Sequence, residues 1–292
     1  MNISGQSCTA LLGFYFGSLL LRTSSGEKKL SDLKFFEVFF AFLFGACFGS
    51  FSNVVIYRLP QNLSLWGRSR CTKCQKPVSW YHNIPMFSYF ILKGRCKFCA
   101  EKFSLRYPTV EFIMAVVFAM TVYFYDVTWL TAEYLILVWG LITASFIDLD
   151  HMILPDEITL GGLVIGLIGA YLNPQRDFLD AILGVLFGGG ILWLVAYVYF
   201  IFTGREGLGG GDIKLLAWLG ALLGWKAIPF IILSSSVLGS VIGLLLSRKN
   251  EEGLKTMIPF GPFLAFGAIL YLFGLKSVGI WYVDLFFPVL TQ

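Results

Sequence analysis

The sequence predicts an all-α polytopic membrane protein of about eight transmembrane helices, with one small cytoplasmic insert. Three observations carry that expectation. Hydrophobic residues make up 57% of the 292 and charged residues only 14%, whereas a soluble domain carries about a quarter charged residues. The apolar residues gather in runs that match the ~20 residues a helix needs to cross ~30 Å of hydrocarbon. Lipid admits only helices and closed barrels, and these runs are too long for barrel strands.

In chain order the runs lie near 36–57, 109–125, 130–148, 157–172, 179–202, 227–247 and 258–275, with a shorter half-span near 213–224. Residues 8–21 (CTALLGFYFGSLLL) are apolar but short, and their positive flank follows the run instead of preceding it. No small-residue cleavage site follows, so this is not the pattern of a signal peptide. An interfacial helix and a further span both stay open there, and residues 1–35 form an N-terminal extension with no assigned role.

Charge sets the orientation. Segment 58–108 holds ten of the 22 Lys and Arg and a single acid, Glu101. The positive-inside rule places this segment in the cytoplasm. Alternation then puts the loops near 149–156, 203–212 and 248–257 on the same side, and these carry Arg205, Arg248, Lys249 and Lys255. The opposite loops carry only Arg176, Lys226 and Lys276, whereas Arg22, Lys28, Lys29 and Lys34 argue mildly the other way. The basic residues are read as topology signals and contacts to membrane lipid; no nucleic-acid partner is expected. Lys214 is expected to snorkel to the interface.

Four of the six cysteines sit in the basic segment as CTKC (71–74) and CKFC (96–99). Two C-x2-C knuckles suit one tetrahedral ion, with thiolates at about 2.3 Å. A reducing cytoplasm disfavours disulfides, and about 50 residues make too small a core to fold unaided. Structural zinc held by Cys71, Cys74, Cys96 and Cys99 is therefore favoured over a redox dithiol pair. Cys8 and Cys47, in apolar runs, are expected to be small core residues.

Acids at the ends of spans are functional candidates by default. One group is FIDLDHMILPDE (146–157), with Asp148, Asp150, Asp156 and Glu157; the other is Asp212, behind the glycines of GLGGGDIK (207–214). Two runs separate Asp148 from Asp212, and that even count returns the chain to the same side. Two neighbouring carboxylates cannot both ionise, so they share a proton. One then takes a proton from water while the other hydrogen-bonds a carbonyl, which is aspartic-protease chemistry without a metal. Gly207, Gly209, Gly210 and Gly211 lack Cβ and let a substrate or a helix come close. Taken alone, a glycine-rich turn into a membrane helix requires no chemistry; the second acid group on the same side is what favours catalysis. GLGGGD is a poor dinucleotide fingerprint, since no strand precedes it.

These blocks resemble the bifunctional type IV prepilin peptidases of bacterial inner membranes. The resemblance runs from about 45 to about 265. It rests on GSFSNVVIYRLP (49–60), the CxxC pairs, WYHNIP (80–85), KGRC (93–96), RYPTVE (106–111), DLDHMILPD (148–156), GLGGGDIK (207–214) and IPFGP (258–262). It implies a GxGD-type membrane aspartic protease over 109–275, after a first transmembrane helix at 36–57 and the insert at 58–108, with 276–292 as a tail. The catalytic pair would be Asp148 and Asp212, with Asp150, Asp156 and the glycines as supporting members of their motifs. The substrates implied are type IV prepilins or type II secretion pseudopilins. Their basic leader is cut on the cytoplasmic side, at a Gly before a hydrophobic helix. A second implied activity methylates the new amine from S-adenosylmethionine, through the N-terminal and zinc-containing part. Asn53, Arg58, Asn83, Gly94, Arg106 and Glu111 are its candidate residues. Glu111 stands out because a negative group there suits the amine or the sulfonium. Two other readings stand beside this one: a peptidase only, whose zinc module docks substrate, and an ion or solute transporter with intramembrane acids. The transporter needs acids near the midplane and two related halves.

Overall fold

The computed structural model describes residues 8–286 except 72, 80, 82, 83, 206, 208 and 248–257. The helices are α1 (Cys8–Arg58), α2 (Phe87–Ile91), α3 (Arg106–Tyr125), α4 (Trp129–His151), α5 (Asp156–Leu172), α6 (Phe178–Thr203), α7 (Gly210–Leu223), α8 (Ile228–Ser247), α9 (Gly261–Leu270) and α10 (Lys276–Phe286). A wider π-type stretch, Tyr271–Leu275, joins α9 to α10. No strand occurs among the described residues; the insert has only two isolated antiparallel bridges.

Among the described residues, five helical stretches are long and apolar enough to cross a membrane: Leu33–Gln61, Arg106–Tyr125, Trp129–His151, Phe178–Thr203 and Trp225–Leu246. The remaining expected spans coincide with shorter helices, α5 of 17 residues, α7 of 14 and α9 of 10. Length and composition therefore support five spans where the sequence led us to expect eight. The run at 8–21 is part of α1, which continues without a break past residue 36 for 51 residues in all, about 75 Å at 1.5 Å per residue.

α7 explains its own shortness. Its residues Leu215–Leu222 are all buried, as expected of a helix that is apolar on every face. It is gripped from three sides. A Cβ on Gly184 of α6 would lie 2.1 Å from the Gly220 carbonyl oxygen, and one on Gly220 would lie 2.0 Å from that of Gly184. The α6 and α7 backbones thus touch, as small residues permit in membrane helices. From the other sides, Trp218 fills notches at Gly140 of α4 and Gly162 of α5, where an added Cβ would fall 2.4 and 2.2 Å from its ring. α7 is held as a central post, and whatever stands on its first turn is held with it.

A buried polar cluster ties the other end of the bundle. Glu133 of α4 pairs with Arg176, both side chains almost fully buried, and accepts from Asn173 at 3.1 Å. Arg176 also donates to the carbonyls of Gly166 in α5 (3.0 Å) and Ala221 in α7.

Candidate active site

Asp148 lies three residues before the end of α4 and Asp212 on the first turn of α7. Both are buried, at 5% and 8% exposure. Oδ2 of Asp148 accepts the Gly261 N–H at 3.0 Å, where α9 begins. A Cβ on Gly261 would sit 2.7 Å from that same oxygen, so only glycine lets the backbone approach it. Oδ1 of Asp212 is buried without a hydrogen-bond partner, and the charge of Asp148 acts on it. Leu154 fills the corner between them: it packs where a Cβ on Gly211 would reach it at 2.8 Å and one on Gly261 at 3.1 Å. The turn after α4, the glycine run before α7 and the start of α9 thus converge around two carboxylates.

Of the motif glycines, Gly207 and Gly211 serve close approach, whereas Gly210 faces open space. A Cβ on Gly207 would meet the Tyr199 ring at 2.4 Å, and one on Gly209 would reach Oδ2 of Asp212 at 3.4 Å. Gly209 is the N-cap of α7, and its carbonyl accepts the Asp212 N–H at 3.1 Å. The remaining aspartates of the motif have cationic partners. Asp150 pairs with Arg106, and Asp156 with Lys214 at 2.6 Å. Lys214 thus reaches across from α7 to the first residue of α5, in a pair whose side chains are exposed. The same end of the bundle collects all five acids; Asp150 and Asp156 have cationic partners, Glu157 is exposed at the start of α5, and Asp148 and Asp212 are the two that are buried without an ion pair among the described residues.

The cysteines converge as expected. Their four sulfur atoms all lie within 4.8 Å of one another. Cys71 and Cys99 are 3.7 Å apart and Cys74 and Cys96 3.9 Å, close to the ~3.8 Å edge of a tetrahedron with ~2.3 Å metal–sulfur bonds. The two knuckles are built alike. Cys71 N–H donates to Lys76 and Cys96 N–H to Glu101, at 3.1 and 2.8 Å. The residue after each pair, Gln75 or Ala100, is left-handed at φ 56° and 55°. Backbone N–H groups of Cys99 and Phe98 hold the Cys96 thiol down at about 7, while burial and the neighbouring sulfurs push that of Cys99 up to about 11, as crowded thiols do when no cation sits between them. Lys73 and Glu101 bridge the knuckles at 2.6 Å. Cys47, by contrast, is exposed on α1 and is no core residue; the side chain of Cys8 lies outside those described.

The methyl-transfer candidates divide. Arg58 donates to the carbonyls of Ser64, Leu65, Trp66 and Arg68 at 3.1–3.3 Å, so it organises a loop. Arg106 is drawn to Asp150 and to the Phe146 carbonyl at 3.2 Å. Gly94 is left-handed at φ +64° against Tyr89, whose hydroxyl would lie 2.7 Å from an added Cβ. Asn53 donates to the Tyr107 carbonyl at 3.1 Å, and Glu111 accepts from Met86 N–H at 2.7 Å. Asn83 lies outside the described residues. A cavity of about 600 Å³ between the insert and the facing ends of α1 and α3 is lined by Asn53, Arg58 and Glu111, and also by Ser50, Tyr89 and Tyr107. Tyr89 escapes a motif reading, because only folding of the insert over α1 brings it there, whereas Ser50 stands within the block 49–60 on α1 without having been singled out.

A family model for the bacterial peptidase A24 N-terminal domain matches residues 43–125. That of the type IV leader peptidase family matches residues 135–244. A prepilin leader peptidase/N-methyltransferase of Aeromonas salmonicida is 39% identical over 278 residues, covering 83% of this chain and 92% of its own length. The chain belongs to the type IV leader peptidase family. Proteins of the same name from Pseudomonas putida (38% over 258 residues, 80% of this chain and 90% of theirs) and Neisseria gonorrhoeae (37% over 264, 80% and 90%) agree. No solved structure matches the chain. The boundary between the two family models falls at 125–135, so α1, the insert and α3 carry the cysteines and cavity, while α4 to α8 carry both buried aspartates.

Proposed function

We propose that this leader peptidase family member cleaves the basic leader from type IV prepilins and type II secretion pseudopilins, then methylates the exposed amine. The observation that carries the proteolytic half is the pair of buried carboxylates, Asp148 and Asp212, with one oxygen of Asp212 unpartnered. The Gly261 N–H favours the ionised form of Asp148, because a donor stabilises a carboxylate. Asp148 therefore takes the proton from water. Asp212 holds the shared proton and presents it to the scissile carbonyl, where oxyanion charge develops. Asp148 and Asp212 sit at helix ends and lack cations, which suits a substrate unwinding as it leaves the bilayer and not an ion held at the midplane. The multi-pass chain sits in the bacterial inner membrane, its short helices completing about eight membrane-embedded segments, with lipid around it and the aspartates facing the cytoplasm beside the basic insert.

Zinc fits the four cysteines by sulfur spacing and would bind Cys71, Cys74, Cys96 and Cys99. With four thiolates the site is closed and supplies stability, not chemistry. S-adenosylmethionine supplies a methyl group on a positively charged sulfur. The cavity beside Glu111 fits such a group in size, since small-molecule sites span about 300–1,000 Å³, and in charge.

The test is mass spectrometry of a purified prepilin incubated with the protein and S-adenosylmethionine, with Asp212→Asn in parallel. Loss of the leader and gain of one methyl, both absent with the variant, are expected. Leader loss without methylation would leave a peptidase only. An unchanged substrate with folded protein would overturn the reading.

A further inference from the structure

The short helix α2 is built inside out. Its residues Phe87, Phe90 and Ile91 are 64%, 72% and 74% exposed, while Ser88 is buried. Spacings of three and four put the three apolar side chains on one helical face. Ser88 and Tyr89, on the other side, line the cavity between the insert and the facing ends of α1 and α3. A module this small has few apolar residues to spare from its own core, and an apolar patch left outside calls for a partner.

The depth of α2 says what that partner is. The Met86 N–H, at the N-cap of α2, donates to Glu111 at 2.7 Å. Glu111 lies inside the membrane-crossing stretch Arg106–Tyr125, ~7.5 Å along the helix from Arg106 at 1.5 Å per residue. A helical side chain leans back toward the N-terminus, so Met86 stands level with the first two turns of that span. Ser50, which lines the same cavity, is likewise well inside the end of the stretch Leu33–Gln61. α2 therefore lies at the edge of the hydrocarbon and not out in the water. Charge points the same way. After α2 come Lys93, Arg95, Lys97 and Lys102, all exposed, and none of the four forms an ion pair among the described residues. The single acid of the insert, Glu101, is taken by Lys73. Interfacial helices combine an apolar face sunk about 5–10 Å into the headgroup boundary with cations that meet anionic lipid.

We infer that α2 and the cations after it attach the insert to the membrane surface. Phe87, Phe90 and Ile91 lie among the acyl chains, and the four cations meet the phosphates of anionic lipid. The insert is then no domain standing free of the bilayer: its apolar edge is set in the leaflet that α1 and α3 enter, and lipid fixes the cavity wall that Ser88 and Tyr89 form. The rival occupant is a prepilin, but its basic leader would be repelled by the same four cations.

The experiment is photo-crosslinking of the purified full chain in vesicles of equal parts phosphatidylcholine and phosphatidylglycerol, with prepilin added. p-Benzoylphenylalanine replaces Phe90, and adducts are identified by mass spectrometry. The same probe in place of Leu194, exposed on α6, reports plain lipid contact. Position 90 should form lipid adducts, with phosphatidylglycerol enriched at least about twofold over its share at position 194, since a basic segment gathers anionic lipid. Lys93→Gln, Lys97→Gln and Lys102→Gln together should return that ratio to the value at 194. Adducts to prepilin or to a second copy of the chain in place of lipid, or none at 90 while 194 reacts, overturn the attachment of α2. Equal lipid ratios at the two positions overturn the role of the cations. Thermal unfolding matching the unmodified chain shows that each variant is folded, and a probe in place of Ile91 repeats the test if the one at 90 disturbs the fold.

Discussion

The backbone N–H of Gly261 donates to Oδ2 of Asp148 at 3.0 Å across 113 residues of chain. The helix start at IPFGP therefore belongs to the candidate active site as the clamp on one carboxylate. Gly261→Ala would place a methyl 2.7 Å from that oxygen and push the carboxylate aside. A displacement of about 1 Å at a reacting group costs on the order of 10²-fold in rate. Leader cleavage should fall by about that factor, with thermal stability little changed. A variant that cleaves as fast as the unmodified protein would show that the clamp has no part in catalysis.

Replacing either aspartate probes the shared proton directly. Asp148→Asn keeps an acceptor for Gly261 but cannot take a proton from water. Asp212→Asn cannot give one up. Positioned acid or base groups contribute about 10²–10⁴-fold, so either change should reduce cleavage at least that far. Removing both should cost little more than removing one, because the residues act as a unit. A gel assay of prepilin processing reads this out. Near-normal cleavage by either single variant would remove that residue from the mechanism.

Much of this site was legible in the sequence because its signals are local. The cysteine spacing sets a knuckle within a few residues, and the parity of apolar runs returns Asp212 to the side of Asp148. What stayed hidden depends on which helices touch. Lys214 finds Asp156 across 58 residues, and no local rule names that partner. α7 reads as half a span, yet it is short because Trp218 and Gly220 lock it among α4, α5 and α6. The likeness of the knuckles at Gln75 and Ala100 is a backbone property, a left-handed residue after each pair, which two dissimilar side chains conceal. α1 runs on past its expected start because nothing between 8 and 36 stops a helix, there being no proline in that stretch.

The cysteine module should hold about one zinc ion and lose it when a ligand is removed. Cys71→Ser leaves three thiolates and should lower bound zinc, measured by atomic emission on purified protein, to well under one per chain. Loop 68–78 supplies part of the cavity wall, so the same variant should reduce methylation more than cleavage. Iron in place of zinc, or full zinc retention in the variant, would refute the four-cysteine site.

The buried pair Glu133–Arg176 should be a large single determinant of stability, remote from the aspartates. Arg176 joins α4, α5 and α7 through Glu133 and the carbonyls of Gly166 and Ala221. Arg176→Leu leaves a buried carboxylate unpaired, which costs about 3–5 kcal/mol. Glu133→Gln in the same chain removes that charge and should recover part of the loss, because an apolar or neutral replacement of a buried pair is often tolerated. Thermal unfolding in detergent of the two single variants and the double measures the coupling. Additive losses would mean that the two side chains stabilise the bundle separately, Arg176 through the carbonyls alone. A double variant more stable than Arg176→Leu would show that the unpaired charge, and not the missing guanidinium, is what the bundle cannot hold.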